Sequence, residues 1–295
     1  LNQGPLDMKE LVTQLKDAGA YVIARITCFK DSELVRKKPE WAIHDREGNV
    51  LHWSLESGEA FLSPYNTEVW DFLVSSGLEA IELGADEVQF DYVRFPSGQS
   101  IEDTKPYYGP SGQVPNKVLA INRFLEYART KISDTLGVPI SADVFPSMIL
   151  NEIDAEILGQ EWATMGLTGI TSLCPMIYPS HYASVGANGE GSYIHGELFE
   201  IPDLEPYGVV KQTLLAAEAR VDERLSIQQQ EAFAYVRPYL QAFDATWLGW
   251  GYYQEYDAET IREQMQSCYD LGYNEGILWN VYGEYDPAIF EPAKD

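Results

Sequence analysis

The sequence predicts an α/β fold of the TIM (β/α)8 type, and three observations carry that expectation. Apolar runs of strand length alternate with amphipathic helices along the chain instead of clustering by type. Each readable strand has a polar residue of inward parity near its C-terminal end, where barrel enzymes build their sites. The glycine fingerprint that a doubly wound dinucleotide-binding sheet needs after its first strand is absent from the sequence. The 295 residues show no repeat, no low-complexity linker and no composition break, so 1–295 is expected to be a single domain.

The elements follow in order. A first helix is expected from about Leu6 to Ala18, where Asp7 and Glu10 form the cap, Met8, Leu11, Val12 and Leu15 share a face, and Gly19 is the stop. Tyr21 to Phe29 reads as a strand. Asn66 caps a second helix bearing Val69, Phe72, Leu73, Ala80 and Leu83, which leads into the strand Glu87 to Phe95. Val118, Ile121, Phe124, Leu125, Ala128, Ile132 and Leu136 mark a third helix, ended by Gly137 before the strand Ile140 to Phe145. A shorter helix near Glu152 to Thr164 precedes the strand Ile170 to Tyr178, and a helix from Val209 to Arg224 precedes a strand near Tyr235 to Gln241. Asp257 caps the last helix, with Ile261, Met265, Cys268 and Leu271 inward and Gly272 as its stop, and Ile277 to Asn280 closes the series. Long aromatic, Gly/Pro-rich loops occupy 30–65, 96–116 and 179–208. Six strands are two fewer than a barrel needs and the series opens on a helix, so the first two strands are expected upstream of Leu1.

Composition narrows the function classes. Twenty Lys and Arg against 46 Asp and Glu leave a net charge of −26, which disfavours nucleic acid and anionic membrane surfaces as partners. No apolar run approaches the roughly 18 to 20 residues of a spanning helix. Cys28, Cys174 and Cys268 are too scattered for a disulfide framework or a zinc knuckle and read as buried thiols. No HExxH, Walker, GxSxG or EF-hand pattern occurs, and His44, His52, His181 and His195 lack metal-ligand spacing. No metal or other cofactor is therefore expected, with calcium on an acidic loop as the open alternative. Nothing in the pattern sets an oligomeric state.

Strand parity points to the chemistry. Val88 and Phe90 suit a helix-facing layer, which turns Gln89 and Asp91 inward, and the same count turns Ser141 and Asp143 inward on the next strand. Arg25 and Thr27, Arg237, Tyr239 and Gln241, and Asn280 take inward positions on the other strands. Two carboxylates on adjacent strand ends form the pair that acid/base or nucleophilic work on a glycosidic bond requires. The same pattern also suits rim residues paired with Arg25, Arg94 or Arg237. Tyr92, Phe95, Tyr107, Tyr108, Tyr178, Tyr182, Trp250, Tyr252, Tyr253 and Tyr282 follow strand ends and offer flat faces to pyranose rings. His181 lies just past a strand, in reach of a hydroxyl.

The run ADEVQFDYVRFPSG at 85–98, with its FDYVRFP core, resembles the hallmark of a bacterial family of glycosyl hydrolase-type TIM-barrel domains distantly related to the α-amylase-like enzymes. YVIARITCFKD at 21–31, SADVFP at 141–146, CPMIYPSHY at 174–182 and GILWNVYGEY at 276–285 are similar to its other blocks, in the same order. The resemblance implies that 21–29 is the third barrel strand, that Asp91 after strand four matches the nucleophile, and that Asp143 after strand five matches the acid/base. Gln89, Asp143 and Gln241 depart from the Arg, Glu and Asp of amylase-like enzymes at the matching positions. The expected activity is hydrolysis of an extracellular or cell-envelope polysaccharide, with a poly- or oligosaccharide as partner. Arg25 and Arg94 would hold the charged carboxylate, while Tyr92, Tyr178, His181, Gln241 and Asn280 would contact the sugar. A non-catalytic carbohydrate-binding or cell-surface scaffold protein on the same barrel is the alternative from another class.

Overall fold

The computed structural model describes residues 7–45, 47–53, 57–97, 116–186 and 189–291. Leu6, Tyr107 and Tyr108 lie outside the described residues. The chain forms two compact units. One comprises the residues through Val144 with Glu152–Leu173 and Ala232–Ala234, and the other comprises Phe145–Asn151, Cys174–Glu231 and the residues from Tyr235 onward.

In the first unit, β1 (Ile23–Thr27), β2 (Glu87–Asp91) and β3 (Ile140–Val144) form a parallel ladder. Arg25 pairs with Gln89 and Thr27 with Asp91 across β1 and β2, and Gln89 pairs with Ser141 across β2 and β3. Every residue of β2 and β3 is buried, as parallel strands covered on both faces require. Past β1 the pairing continues as Cys28 N–H donates to the Asp91 carbonyl at 2.8 Å. β2 stops where Tyr92 takes a positive φ of 50°, so the predicted strand to Phe95 ends four residues early. Thr171 N–H donates to the Ile140 carbonyl at 2.8 Å, which lays the chain beside β3 as β4 (Ser172–Ile177) begins.

The helices of this unit follow their caps. Asp7 accepts from Lys9 N–H and Glu10 N–H to open α1 (Met8–Asp17), and Gly19 turns the chain at φ +84°. The expected apolar face of α1 is only partly realised: Val12 is buried, but Met8 and Leu15 are 50% and 40% exposed. Asn66 caps α2 (Thr67–Glu82), whose Val69, Leu73 and Val74 are buried. Asn116 caps α3 (Lys117–Lys131), and a break at Ile132 separates it from the turn Ser133–Leu136, so the single helix read from the sequence is two pieces.

The expected helix over 152–164 is also divided, into Glu152–Leu158 and Trp162–Met165. Gly159 between them sits at φ +74°, and a Cβ there would lie 2.9 Å from the Phe95 ring and 3.1 Å from the Lys117 carbonyl. The next side chain, Gln160, donates to the carbonyls of Val93 and Asp143 at 3.3 and 3.2 Å. This close approach therefore braces the segment after β2 and the end of β3 together.

In the second unit β4 pairs in parallel with β5 (Tyr239–Gln241), which pairs in parallel with β6 (Ile277–Trp279). The predicted strand 235–241 is interrupted before Tyr239, because Pro238 has no N–H to give the ladder. α4 (Pro206–Arg224) begins on a proline at its first position, and α5 (Ala258–Asp270) is capped by Asp257. Two hairpins lie in stretches read from the sequence as loops, His52–Trp53 with Glu59–Ala60 and Ser192–Ile194 with Glu197–Phe199. The second turns on His195 and Gly196, both at positive φ, the backbone of a two-residue primed turn. Among the described residues no helix is long and apolar enough to cross a membrane.

Gly159→Ala combines a left-handed backbone penalty with a clash, so it is expected to lower stability by about 2–4 kcal/mol. Urea denaturation of the two proteins checks this, and an unchanged midpoint would contradict the close approach.

Candidate active site

The inward parity of the first unit converges on three charged groups. Asp91 ends β2, Asp143 lies within β3, and Arg25 sits on β1 opposite Gln89. Arg25 donates from Nη2 to Asp91 Oδ2 and from Nε to Asp143 Oδ2, the latter at 3.3 Å. The carboxylates are buried, whereas the Arg25 side chain is 36% exposed and is the member of the trio that meets solvent. The other oxygen of Asp91 accepts Tyr92 N–H at 2.6 Å, a contact that depends on the left-handed turn at Tyr92. A non-glycine residue at positive φ occupies a sparsely populated backbone region that the surrounding contacts must hold in place.

Deeper along β2, Glu87 shares the parity of Gln89 and Asp91. It is fully buried and accepts from Ser141 Oγ at 2.5 Å and Tyr21 Oη at 3.1 Å. The face thus carries the hydrogen-bonded Glu87, Ser141 and Tyr21 toward the start of the strands and the Arg25 bridge to Asp91 and Asp143 toward their ends. Cys28 lies beside that bridge. Burial, then the charges of Asp91 and Asp143, push its thiol well above the ordinary cysteine value.

Arg94, expected at the carboxylates, donates from Nη1 to the Phe95 carbonyl at 2.9 Å. It also lies 5.0 Å from the Tyr92 ring and 5.8 Å from the Phe61 ring, so it braces the segment after β2.

The remaining sequence-selected residues belong to the second unit. Tyr178 is buried and packs with Tyr239 and Phe243. His181 is exposed, and its ring lies 5.3 Å from Tyr178 and 6.3 Å from both Phe243 and Trp247. This crowding lowers its pKa below the usual imidazole value, an effect its solvent exposure limits. Asn280 donates to the Ala242 carbonyl at 2.7 Å and accepts Tyr282 N–H at 2.8 Å, which ties the end of β6 to that of β5.

Gln241 is fully buried and engaged within the fold. Its Oε1 accepts Ser180 N–H at 3.1 Å and Ser180 Oγ–H at 2.8 Å, while Nε2 donates to Asp203 Oδ1 at 2.9 Å and the Phe243 carbonyl at 3.1 Å. Its backbone exchanges two hydrogen bonds with the Gln264 side chain on α5. Gln241, expected to contact the sugar, has both ends of its side-chain amide engaged inside the fold. Sequence reasoning missed Asp203, a buried carboxylate that also accepts from Tyr256 Oη at 3.1 Å and Gln254 N–H at 3.2 Å. Burial raises its pKa against the pull of these donors. It lies in the 3-10 turn Pro202–Leu204, within a stretch whose sequence has no periodicity to assign an orientation, and Pro202 and Pro206 are the one signal there of a fixed backbone. Among the described residues no group of three or more His, Cys, Asp and Glu is arranged to hold a metal ion.

Comparison with known proteins follows the geometry. Residues 2–285 match the profile of a family described as "Putative glycosyl hydrolase domain". No protein of curated function matches. Among solved structures, the chain is similar to the PgaB (BpsB) glycoside hydrolase domain of Bordetella bronchiseptica at 16% identity and a TM-score of 0.58, covering 92% of this chain and 74% of that one. It is similar to the α-galactosidase TtGalA of Thermus thermophilus, solved with stachyose, at 14% identity and a TM-score of 0.55, covering 98% and 52%. A hypothetical protein of Ruminiclostridium thermocellum is 33% identical over 48% of this chain and 68% of its own, with a TM-score of 0.39. At these identities the first two likenesses show a shared fold, a parallel sheet with helices of the glycoside hydrolase barrel type.

Two outcomes follow from the site. Because its thiol stays protonated, Cys28 is expected to resist iodoacetamide in the folded protein between about pH 7 and 9 and to react on unfolding; rapid native labelling, read by mass spectrometry, would contradict its placement. Gln241→Leu leaves the partners of four hydrogen bonds unsatisfied and is expected to cost about 3 kcal/mol or more in urea denaturation; a cost under about 1 kcal/mol would show that the network is replaceable.

Proposed function

The chain belongs to the "Putative glycosyl hydrolase domain" family, and on that premise we propose that Asp91 and Asp143 are the carboxylate pair of a glycoside hydrolase acting on an extracellular or cell-envelope polysaccharide. The observation that carries this reading is the bridge of Arg25 to both side chains. Two carboxylates touching neighbouring nitrogens of one guanidinium lie within the span, up to about 9.5 Å, over which paired carboxyl groups act on a glycosidic bond.

In the proposed reaction Asp143, released from Arg25 and protonated from solvent as substrate enters, gives that proton to the glycosidic oxygen as the bond to the anomeric carbon breaks. Asp91 adds to that carbon or stabilises its developing positive charge. Water then takes the place of Asp91, losing a proton to Asp143. Arg25 compensates both groups at rest and must yield room when substrate arrives, since it is the solvent-facing member of the trio. The resemblance to amylase-like barrels favours retention of the anomeric configuration. Asp143 is shorter than their usual Glu, which makes positioning at this group the sensitive step. We further propose that 1–295 is one barrel domain, that Tyr92 in the first unit and Tyr178 and His181 in the second are each carbohydrate-contacting residues, and that Arg94, Gln241 and Asn280 act through the neighbours they hold.

Reducing-sugar release from a panel of polysaccharides is expected to fall about 10²- to 10⁴-fold in Asp91→Asn and Asp143→Asn. NMR of the first-formed product is expected to show the substrate's own anomer. Equal release by the wild type and Asp91→Asn would overturn catalysis by Asp91 and leave the carbohydrate-binding reading in its place.

A further inference from the structure

The second unit holds a chain of hydrogen bonds whose directions are fixed by its members. Ser180 N–H can only donate and the Phe243 carbonyl can only accept, so the Gln241 amide has one permitted orientation, oxygen toward Ser180 and nitrogen toward Phe243 and Asp203. Ser180 Oγ lies 2.8 Å from that amide oxygen and must spend its single proton there. The contact of 3.0 Å between Ser180 Oγ and His181 Nδ1 then needs its proton from the histidine. The neutral imidazole is therefore protonated at Nδ1 and bare at Nε2, which makes no hydrogen bond among the described residues. Beside it the Phe243 and Trp247 rings stack at 5.8 Å and 26°, and Trp247 is 63% exposed.

We propose that Asp203, Gln241 and Ser180 are positioning residues that hold His181 as its Nδ1–H tautomer, so that Nε2 accepts a hydrogen bond from a hydroxyl of a sugar ring resting on Trp247. A pyranose fits this site because it offers hydroxyl donors at its edge and an apolar face for an aromatic ring. The network is buried and complete, which is the condition under which a polar chain fixes one arrangement. The histidine thus selects donors and rejects carbonyl or carboxylate acceptors at the same place. The sugar part rests on the glycoside hydrolase reading; the tautomer part does not.

The test is two-bond ¹H–¹⁵N correlation of the histidine side chains in the full chain at a pH where imidazole is neutral, with His181→Asn identifying the signal. The wild type is expected to show the Nδ1–H pattern for His181, and Ser180→Ala, which removes the acceptor, to reduce that form to a minority. A wild-type Nε2–H pattern, or no change in a folded Ser180→Ala, overturns the positioning chain whatever the hydrolysis assay gives. Titration with maltohexaose and with chitohexaose, one α-linked and one β-linked, is expected to shift His181 Nε2 with at least one of them. Ser180→Ala is expected to weaken that binding about 5- to 10-fold. No shift with either probe overturns the sugar-acceptor role, and loss of hydrolysis in Asp91→Asn with the tautomer intact separates the two readings.

Discussion

Two carboxylates buried on neighbouring parallel strands demand a cation, because an uncompensated buried charge costs several kcal/mol. Arg25 meets that demand from the adjacent strand. Much else in the first unit follows from it. Asp91 and Asp143 must keep inward parity, which fixes Val88, Phe90, Ala142 and Val144 on the opposite, helix-facing side. The turn at Tyr92 gives Asp91 a second donor, and Gln160 ties down the backbone of Asp143. Gly159 allows Gln160 to come that close. One ion-paired trio thus accounts for a strained tyrosine, a left-handed glycine and a split helix.

The second unit solves a similar problem without a cation. Asp203 is buried among neutral donors from Gln241, Tyr256 and Gln254. Such a carboxylate gains hydrogen bonds but no full opposite charge, which is why burial prevails in raising its pKa. The first arrangement sets an arginine against two carboxylates, and the second links a carboxylate through an amide and a hydroxyl to the ring of His181. Gln241 spends its whole side-chain amide on partners inside the fold.

Strand and helix order was legible because apolar periodicity and capping residues are local signals: Asp7, Asn66 and Asp257 each cap the helix their position suggested. Parity brought Asp91 and Asp143 to one face for the same reason. The breaks were not legible, since they arise from contacts distant in sequence, such as Gly159 against Phe95 and Lys117. Met8 and Leu15 carry a helical pattern that packing leaves exposed. Asp203 was invisible because a loop gives no parity, and Gln241 was read as facing a ligand because parity gives direction but not partners. Arg25 and Arg94 had equal claim to the carboxylates by composition; in the fold Arg25 bridges both, and Arg94 donates to the Phe95 carbonyl.

The claim on which this account turns is that Arg25 compensates both carboxylates together. A double-mutant cycle in urea, comparing Arg25→Ala, Asp143→Asn and the pair, measures it directly. The paired substitutions are expected to cost less than the sum of the single ones by about 1–3 kcal/mol, because removing Asp143 relieves part of the charge that Arg25→Ala exposes. Additivity within about 0.5 kcal/mol would show that the two side chains do not share a charge, and would contradict the account.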